Sequence, residues 1–368
     1  MCACVFLVLF ENIRTKANTH FLPFAGLAKV GGGRIKSMSR MQLIHSYQHI
    51  ISIENLLEAW REFLVGKRSR LDVQAFEINL MSNIISLHND LATKKYQHSS
   101  YEAFNISDPK PRNIHKAKVR DRLLHHALYR VLYPFFDKTF VADSYSCRIG
   151  KGTHKAMERF RGFANKTSRN NTKTLWVLKC DVKKFFASID QTLLMEILSE
   201  YIPDNNVRWL MGQIIGSFYS TEKGKGLPLG NLTSQLFVNM YMNEFDQFVK
   251  HKLKAKYYIR YADDFVFMSD SKAWLESLVP LIRDFLAVRL RLTLHPQKLF
   301  LKTLASGVDF LGWVNFPDHR VLRTTARRRM ESRIIEHPTS ETIQSYLGLL
   351  KHGNTEKIKA QMLGGQFL

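Results

Sequence analysis

Apolar positions recur at helical spacing through much of the chain. From Ser52 the pattern is helical: Leu56, Leu57 and Trp60 follow three and four residues apart, and the Ser52 hydroxyl is placed to cap the first free N–H groups. A second helix is predicted within 71–97, with Leu80, Ile84, Leu87 and Leu91 on one face. The polar stretch Ser107–Ile114 carries Pro109 and Pro111, which disfavour helix; after Lys116, Lys118, Arg120 and Arg122 an apolar helix runs from Leu123 to about Leu132. Two more helices are expected. One opens at Asn231 and aligns Phe237, Tyr241, Phe245 and Phe248; the other places Trp274, Leu278, Leu281 and Phe285 on one side. All of these stripes read as core-facing scaffold.

Shorter apolar runs read as strands. Thr174–Cys180 predicts a buried strand closed by Asp181. Tyr257–Ile259 and Phe265–Met268 predict strand, tight turn and strand about Tyr261-Ala262-Asp263-Asp264. Leu292–Leu301 and Val308–Phe316 predict strands around a Ser306-Gly307 turn, and from Val321 the chain becomes basic and helical. Residues 1–40 lack sustained periodicity. Met38 and Met41 precede the first well-patterned segment, so 1–40 is expected to be upstream sequence or a disordered arm.

Composition narrows the class. The 368 residues suit one large domain or two to three lobes, and 45% hydrophobic residues predict a real core. Fifty-four Lys and Arg against 32 Asp and Glu leave a net charge of +22, which points to a polyanionic partner, nucleic acid above all, over a merely basic surface. The four cysteines show neither zinc spacing nor a disulfide framework, so a reducing, cytoplasmic setting is expected. No apolar stretch reaches membrane-spanning length, and the opening run Met1–Phe10 lacks the basic flank and cleavage site of a signal peptide.

The chemistry centres on the Asp263-Asp264 turn. Two adjacent carboxylates repel, and a divalent cation with a preference for hard oxygen would relieve them; a solvated acidic turn is the competing reading. Asp181, roughly eighty residues upstream, ends an apolar strand where a carboxylate is costly unless it meets a cation; a merely exposed strand end is the alternative. If the strands are neighbours, three acids could hold two magnesium ions about 3.5–4 Å apart, the clamp for in-line phosphoryl transfer. The loop Tyr145–Thr153 has glycines and two basic residues, Arg148 and Lys151, suited to a phosphate or to an ordinary basic turn. Arg327, Arg328 and Arg329 suit duplex phosphates or a solvated helix face.

Taken together these motifs resemble the reverse transcriptases. Tyr261-Ala262-Asp263-Asp264 looks like the family signature and Asp181-x4-Phe186 like its first catalytic motif. Leu227–Gln235 stands where the family's glycine-rich motif lies. Lys110-Pro111-Arg112 and Ser146–Thr153 resemble fingers motifs, and Phe310-Leu311-Gly312-Trp313 resembles the primer grip. The set keeps family order over roughly 105–325. The resemblance implies an α+β, right-hand polymerase: fingers mainly over 41–173, a palm of antiparallel sheet packed on helices over 174–320 with a fingers insertion near 191–230, and a short helical thumb over 321–368. It implies an RNA template, a DNA or RNA primer, deoxynucleoside triphosphates and two magnesium ions, with manganese as a substitute. By position, Asp181, Asp263, Asp264 and the Val182 carbonyl would hold metal. Arg112 and Arg148 would face the triphosphate, Phe186 would exclude a ribose 2′-hydroxyl, and Leu229, Gly230 and Gln235 would line the nucleotide site. Lys298 would protonate the leaving pyrophosphate.

Two departures bear on the branch. Leu229 replaces a glutamine usual in retroviral and group II intron enzymes, and Ser234-Gln235 replaces Ser-Pro; the form resembles the diversity-generating retroelement branch. That implies loose nucleotide selection and a small basic accessory protein. About fifty residues follow the primer-grip stretch, enough for a short thumb and too few for an RNase H, integrase or endonuclease domain. A stand-alone reverse transcriptase of phage defence shares these features, and a non-catalytic RNA-binding protein on the same fold is disfavoured by the three intact acids.

Overall fold

The computed structural model describes residues 41–106 and 111–364. The expected extension over 1–40, and Lys110 of the fingers motif, lie outside them. The chain opens with four helices, α1 (Tyr47–Ile51), α2 (Ile53–Leu64), α3 (Leu71–Ile78) and α4 (Leu80–Ala92). Ser52 caps α2 as expected, its Oγ accepting from the Asn55 amide at 3.2 Å. The segment 71–97 is not one helix: Asn79, at φ −113° and ψ 37°, divides it. Asparagine tolerates such a break because its side chain competes for local backbone groups. Ile84, Leu87 and Leu91 are buried, as their spacing predicts.

Where the sequence reads only as non-helical, β1 (Glu102–Ile106) pairs antiparallel with β2 (Arg112–Lys116). Then come α5 (Val119–Phe136), α6 (Thr153–Thr167), β3 (Trp176–Asp181), α7 (Phe185–Ser188), α8 (Gln191–Ser199), α9 (Asn205–Ile215) and α10 (Leu232–His251). The acidic hairpin is β4 (Tyr258–Tyr261) and β5 (Asp264–Ser269), followed by α11 (Lys272–Asp284) and β6 (Phe300–Thr303). A small sheet of β7 (Val308–Phe310), β8 (Trp313–Asn315) and β9 (Arg320–Leu322) precedes α12 (Thr324–Glu336), α13 (Ser340–Leu350) and α14 (Glu356–Leu363). No described helix is long and apolar enough to cross a membrane.

Three local expectations change. On α11 the buried stripe is Leu275, Leu278 and Ile282, while Leu281 is 47% exposed, because this helix is apolar on more than one side. Leu292–Leu301 is not one strand: Pro296 opens a 3₁₀ turn, Pro296–Lys298, and only the residues beyond it pair as β6. Val308–Phe316 is likewise split, with Leu311 and Gly312 both at positive φ (52° and 87°) in a two-residue turn joining β7 to β8.

The central sheet has the order β4-β5-β3-β6, antiparallel throughout, and divides two cores. One face sends Leu178, Cys180, Phe265 and Phe267 into a core shared with α2, α4, α5, α8, α9 and α10. The other sends Val177, Ile259, Val266 and Met268 against α6, the small sheet and the terminal helices. Strand alternation alone produces this partition.

Candidate active site

The register that aligns Trp176 with Ser269 ends by placing Asp181 directly opposite Asp264. Period-two alternation puts Val177, Lys179 and Asp181 on the face that also carries Asp264, Val266 and Met268, the side of the second core. Asp263 sits in the two-residue turn between Tyr261 and Asp264, reached through Ala262 at φ 55°. Its carbonyl accepts from the Val182 amide at 3.2 Å, tying the turn to the end of β3. The structure thus gathers all three acids and Val182 at one strand end.

The acids are electrostatically frustrated. Burial, with the Asp181 and then the Asp264 charge, pushes the Asp263 carboxyl up to about 6. Burial also raises Asp264, against the opposing pull of Lys179. The Asp264 Oδ2 lies 3.1 Å from Lys179 Nζ, whereas its Oδ1 is buried without a hydrogen-bond partner. Lys298 Nζ donates to Asp181 Oδ1 at 2.9 Å. In this arrangement no three described His, Cys, Asp or Glu side chains converge closely enough to hold one ion; the lysines balance Asp181 and Asp264. The donor chemistry nevertheless fits hard divalent cations: carboxylate oxygens, excess negative charge and an orphaned Oδ1.

What holds the turn carries no motif in the sequence. Arg260 is fully buried and donates to Asp246 at 2.8 and 2.7 Å, to Ser144 Oγ at 3.0 Å and to the Ala262 carbonyl at 3.1 Å. Tyr258 donates to the same Asp246 at 2.7 Å. The available signal was a charge inside the apolar strand before the turn and another amid the apolar residues of α10, since buried charges require partners.

A second group of expected residues forms a wall around the glycine-rich motif. The Leu227 amide donates to the Phe186 carbonyl at 2.9 Å, and the His115 amide of β2 donates to the Leu229 carbonyl at 3.0 Å. Asn231 Nδ2 donates back to the His115 carbonyl at 2.9 Å. Gly230 has φ 105°, and a Cβ there would stand 2.9 Å from Ile114 Cγ2, so only glycine fits. Phe186, Leu229, Gly230 and Gln235 are half-buried, and Arg112 begins the strand docked on this motif.

Other expected residues are placed differently. Arg148 is 6% exposed and its guanidinium is occupied by the Asp137 carboxylate at 2.7 Å and by the carbonyls of Val141, Ser144 and Asp137. It organises its own loop, because a buried guanidinium must satisfy its donors locally. Phe310, Leu311, Gly312 and Trp313 are all buried, so the hairpin expected as a primer grip packs into the second core. Arg327, Arg328 and Arg329 do not form one surface, since successive helical residues diverge by roughly 100°. Arg327 pairs with Glu331 at 2.7 Å, Arg328 is exposed and Arg329 is half-buried.

An antiparallel sheet backed by helices, three acids at one strand end and a small sheet leading into terminal helices define a right-hand nucleic-acid polymerase. The family model "Reverse transcriptase (RNA-dependent DNA polymerase)" matches residues 106–314, and the chain belongs to that family. Protein YkfC of Escherichia coli is 25% identical over 283 residues, covering 66% of this chain and 71% of that protein. The group II intron-encoded protein LtrA of Lactococcus lactis is 25% identical over 142 residues, or 37% of this chain and 22% of LtrA. Among solved structures, apo telomerase from Candida tropicalis has a TM-score of 0.48 at 14% identity, covering 64% of this chain and 49% of that one. The chain thus spans most of YkfC and about a fifth of LtrA.

Proposed function

We propose that the protein copies RNA into DNA by magnesium-dependent nucleotidyl transfer at Asp181, Asp263 and Asp264. The observation carrying this reading is the cross-strand pairing of Asp181 with Asp264, with Asp263 in the adjoining turn. These carboxylates, with the Val182 carbonyl, would hold two magnesium ions, which manganese can replace. Bound there, such ions would supply the charge that activates a primer 3′-hydroxyl and steadies a leaving pyrophosphate. Lys298, already within hydrogen-bond reach of Asp181, is positioned to hold and deliver a proton to that leaving group. Phe186 and Leu229 line the side from which the nucleotide approaches, and Arg112 is its cationic contact. The excess of basic residues supports binding of template and primer, with Arg328 the exposed member of the arginine run.

Within this activity we assign the chain to low-fidelity cDNA synthesis in a diversity-generating retroelement, aided by a small basic accessory protein. Leu229, which offers no side-chain hydrogen bond beside the nucleotide site, supports that reading. The intron-encoded relatives favour a second one, a stand-alone enzyme closer to the intron type. Primer extension on an RNA template tests the activity. The expected result is magnesium-dependent extension by the wild type and none by Asp263→Ala; no extension by the wild type, with or without a partner protein, overturns it.

A further inference from the structure

Lys179 stands where the central sheet meets the small β7-β8-β9 sheet. It lies on β3 two residues before Asp181 and on the same face, with its side chain only 12% exposed. An ammonium so enclosed needs partners, and it carries three donors. One points to Asp264 Oδ2 at 3.1 Å and another to the Asp309 carbonyl at 2.8 Å; the Phe300 ring centroid lies 5.9 Å away. A counter-ion for Asp264 would need only the first contact. The second reaches the backbone of β7, the strand that leads directly into the Leu311-Gly312 turn.

The link continues outward. Asp309 Oδ2 pairs with Arg323 Nη1 at 2.9 Å, and the Arg323 amide donates to the Gly312 carbonyl at 3.1 Å. Arg323 immediately precedes α12. The strands β7, β8 and β9 have three residues each, so few ladder bonds fix this hairpin by themselves.

We propose that Lys179 is a positioning residue that fixes the Asp264 carboxylate against the Phe310–Trp313 hairpin, and so sets where a primer end held by that hairpin lies relative to the three acids. The inference rests on the polymerase reading above. Misplacing a reacting group by an ångström can cost about 100-fold in rate.

Lys179→Met keeps the stem and removes the ammonium. In the metal-free protein, amide exchange over 308–315 is expected to accelerate by about tenfold or more while β3 and β5 hold. Single-turnover extension is expected to fall by about 10- to 100-fold, with nucleotide KM and primer–template Kd changing by less than about threefold. Lys179→Arg, which keeps charge and several donors, should recover most of both. Unchanged exchange in Lys179→Met, or a rate loss that Lys179→Arg does not relieve, overturns the proposal. If Lys179→Met does not fold, Lys179→Gln is measured against the same criteria; if neither folds, the lysine is a folding requirement and the positioning role is wrong. A wild type that extends no primer overturns the polymerase reading and the alignment role with it. Normal extension with unchanged exchange overturns the tie alone.

Discussion

Arg260 and Asp246 meet at 2.7 Å with both side chains fully shielded from water, directly behind the turn that carries Asp263. The pair fixes that turn through the Arg260 contact to the Ala262 carbonyl. Removing one partner strands the other charge. Asp246→Ala is therefore expected to lower the unfolding free energy by about 3–5 kcal/mol, read by urea denaturation, whereas Asp246→Leu combined with Arg260→Met should recover much of that loss.

Asp263→Asn should separate stability from activity. The folded-state carboxyl titrates at about 6, above its ordinary value of 3.8, so the folded protein binds the extra proton between those values. Wild-type stability consequently falls as pH rises from about 4 to about 6 and stays low above that. In chelator at pH 7 the asparagine variant is expected to be more stable by up to about 3 kcal/mol, with the gap closing near pH 4. Magnesium should raise the wild-type melting temperature and leave the inactive variant unmoved. Equal stability of the two proteins at pH 7 in chelator would refute the charge-crowding account.

Leu229→Gln restores a polar side chain beside the expected nucleotide site. One net hydrogen bond of about 0.5–1.5 kcal/mol corresponds to roughly two- to tenfold fewer misincorporations. Sequencing of products made on a defined RNA template measures this, and equal error rates at every template base would count against a role for Leu229 in selectivity.

Gly353 packs flat on Trp313, and a Cβ at this position would overlap the indole at Cζ3. The same contact region is held by the bond from Arg320 Nε to the His352 carbonyl and by the stacked rings of His154 and His352, whose centroids are 3.7 Å apart. Gly353→Ala is expected to cost about 1–3 kcal/mol through overpacking. It should shorten the products of each binding event while single-nucleotide addition is kept. A product-length distribution under a heparin trap would show this.

Much of the scaffold was legible because its signals are local. Ser52, the α10 stripe and the short apolar runs flanking Asp181 and Asp263 each specify an element within a few residues. The β1–β2 pairing is not legible because only one of its residues, Ile114, is buried and its strands carry no apolar alternation. Of the expected α11 face, Leu278, Trp274 and Phe285 pack on the core and only Leu281 does not, because Leu275–Leu278–Ile282 fits helical spacing equally well. Arg148, Lys179 and Asp246 depend on partners distant in sequence or on backbone carbonyls, and no spacing rule encodes such contacts. The acids were readable as a set because each closes or follows a short apolar strand, whereas their register is a property of the folded sheet.

The division of the central sheet between two cores has a consequence for how substitutions will sort. Residues such as Leu178, Phe265 and Phe267 are shared with the helices of the first core, so changes there register as loss of folded protein. Residues such as Val177, Val266 and Met268 back the small hairpin and the terminal helices, and underlie the carboxylate face. Neighbouring positions of one strand would then yield alternating phenotypes in a saturation scan, abundance at one and copying accuracy or product length at the next.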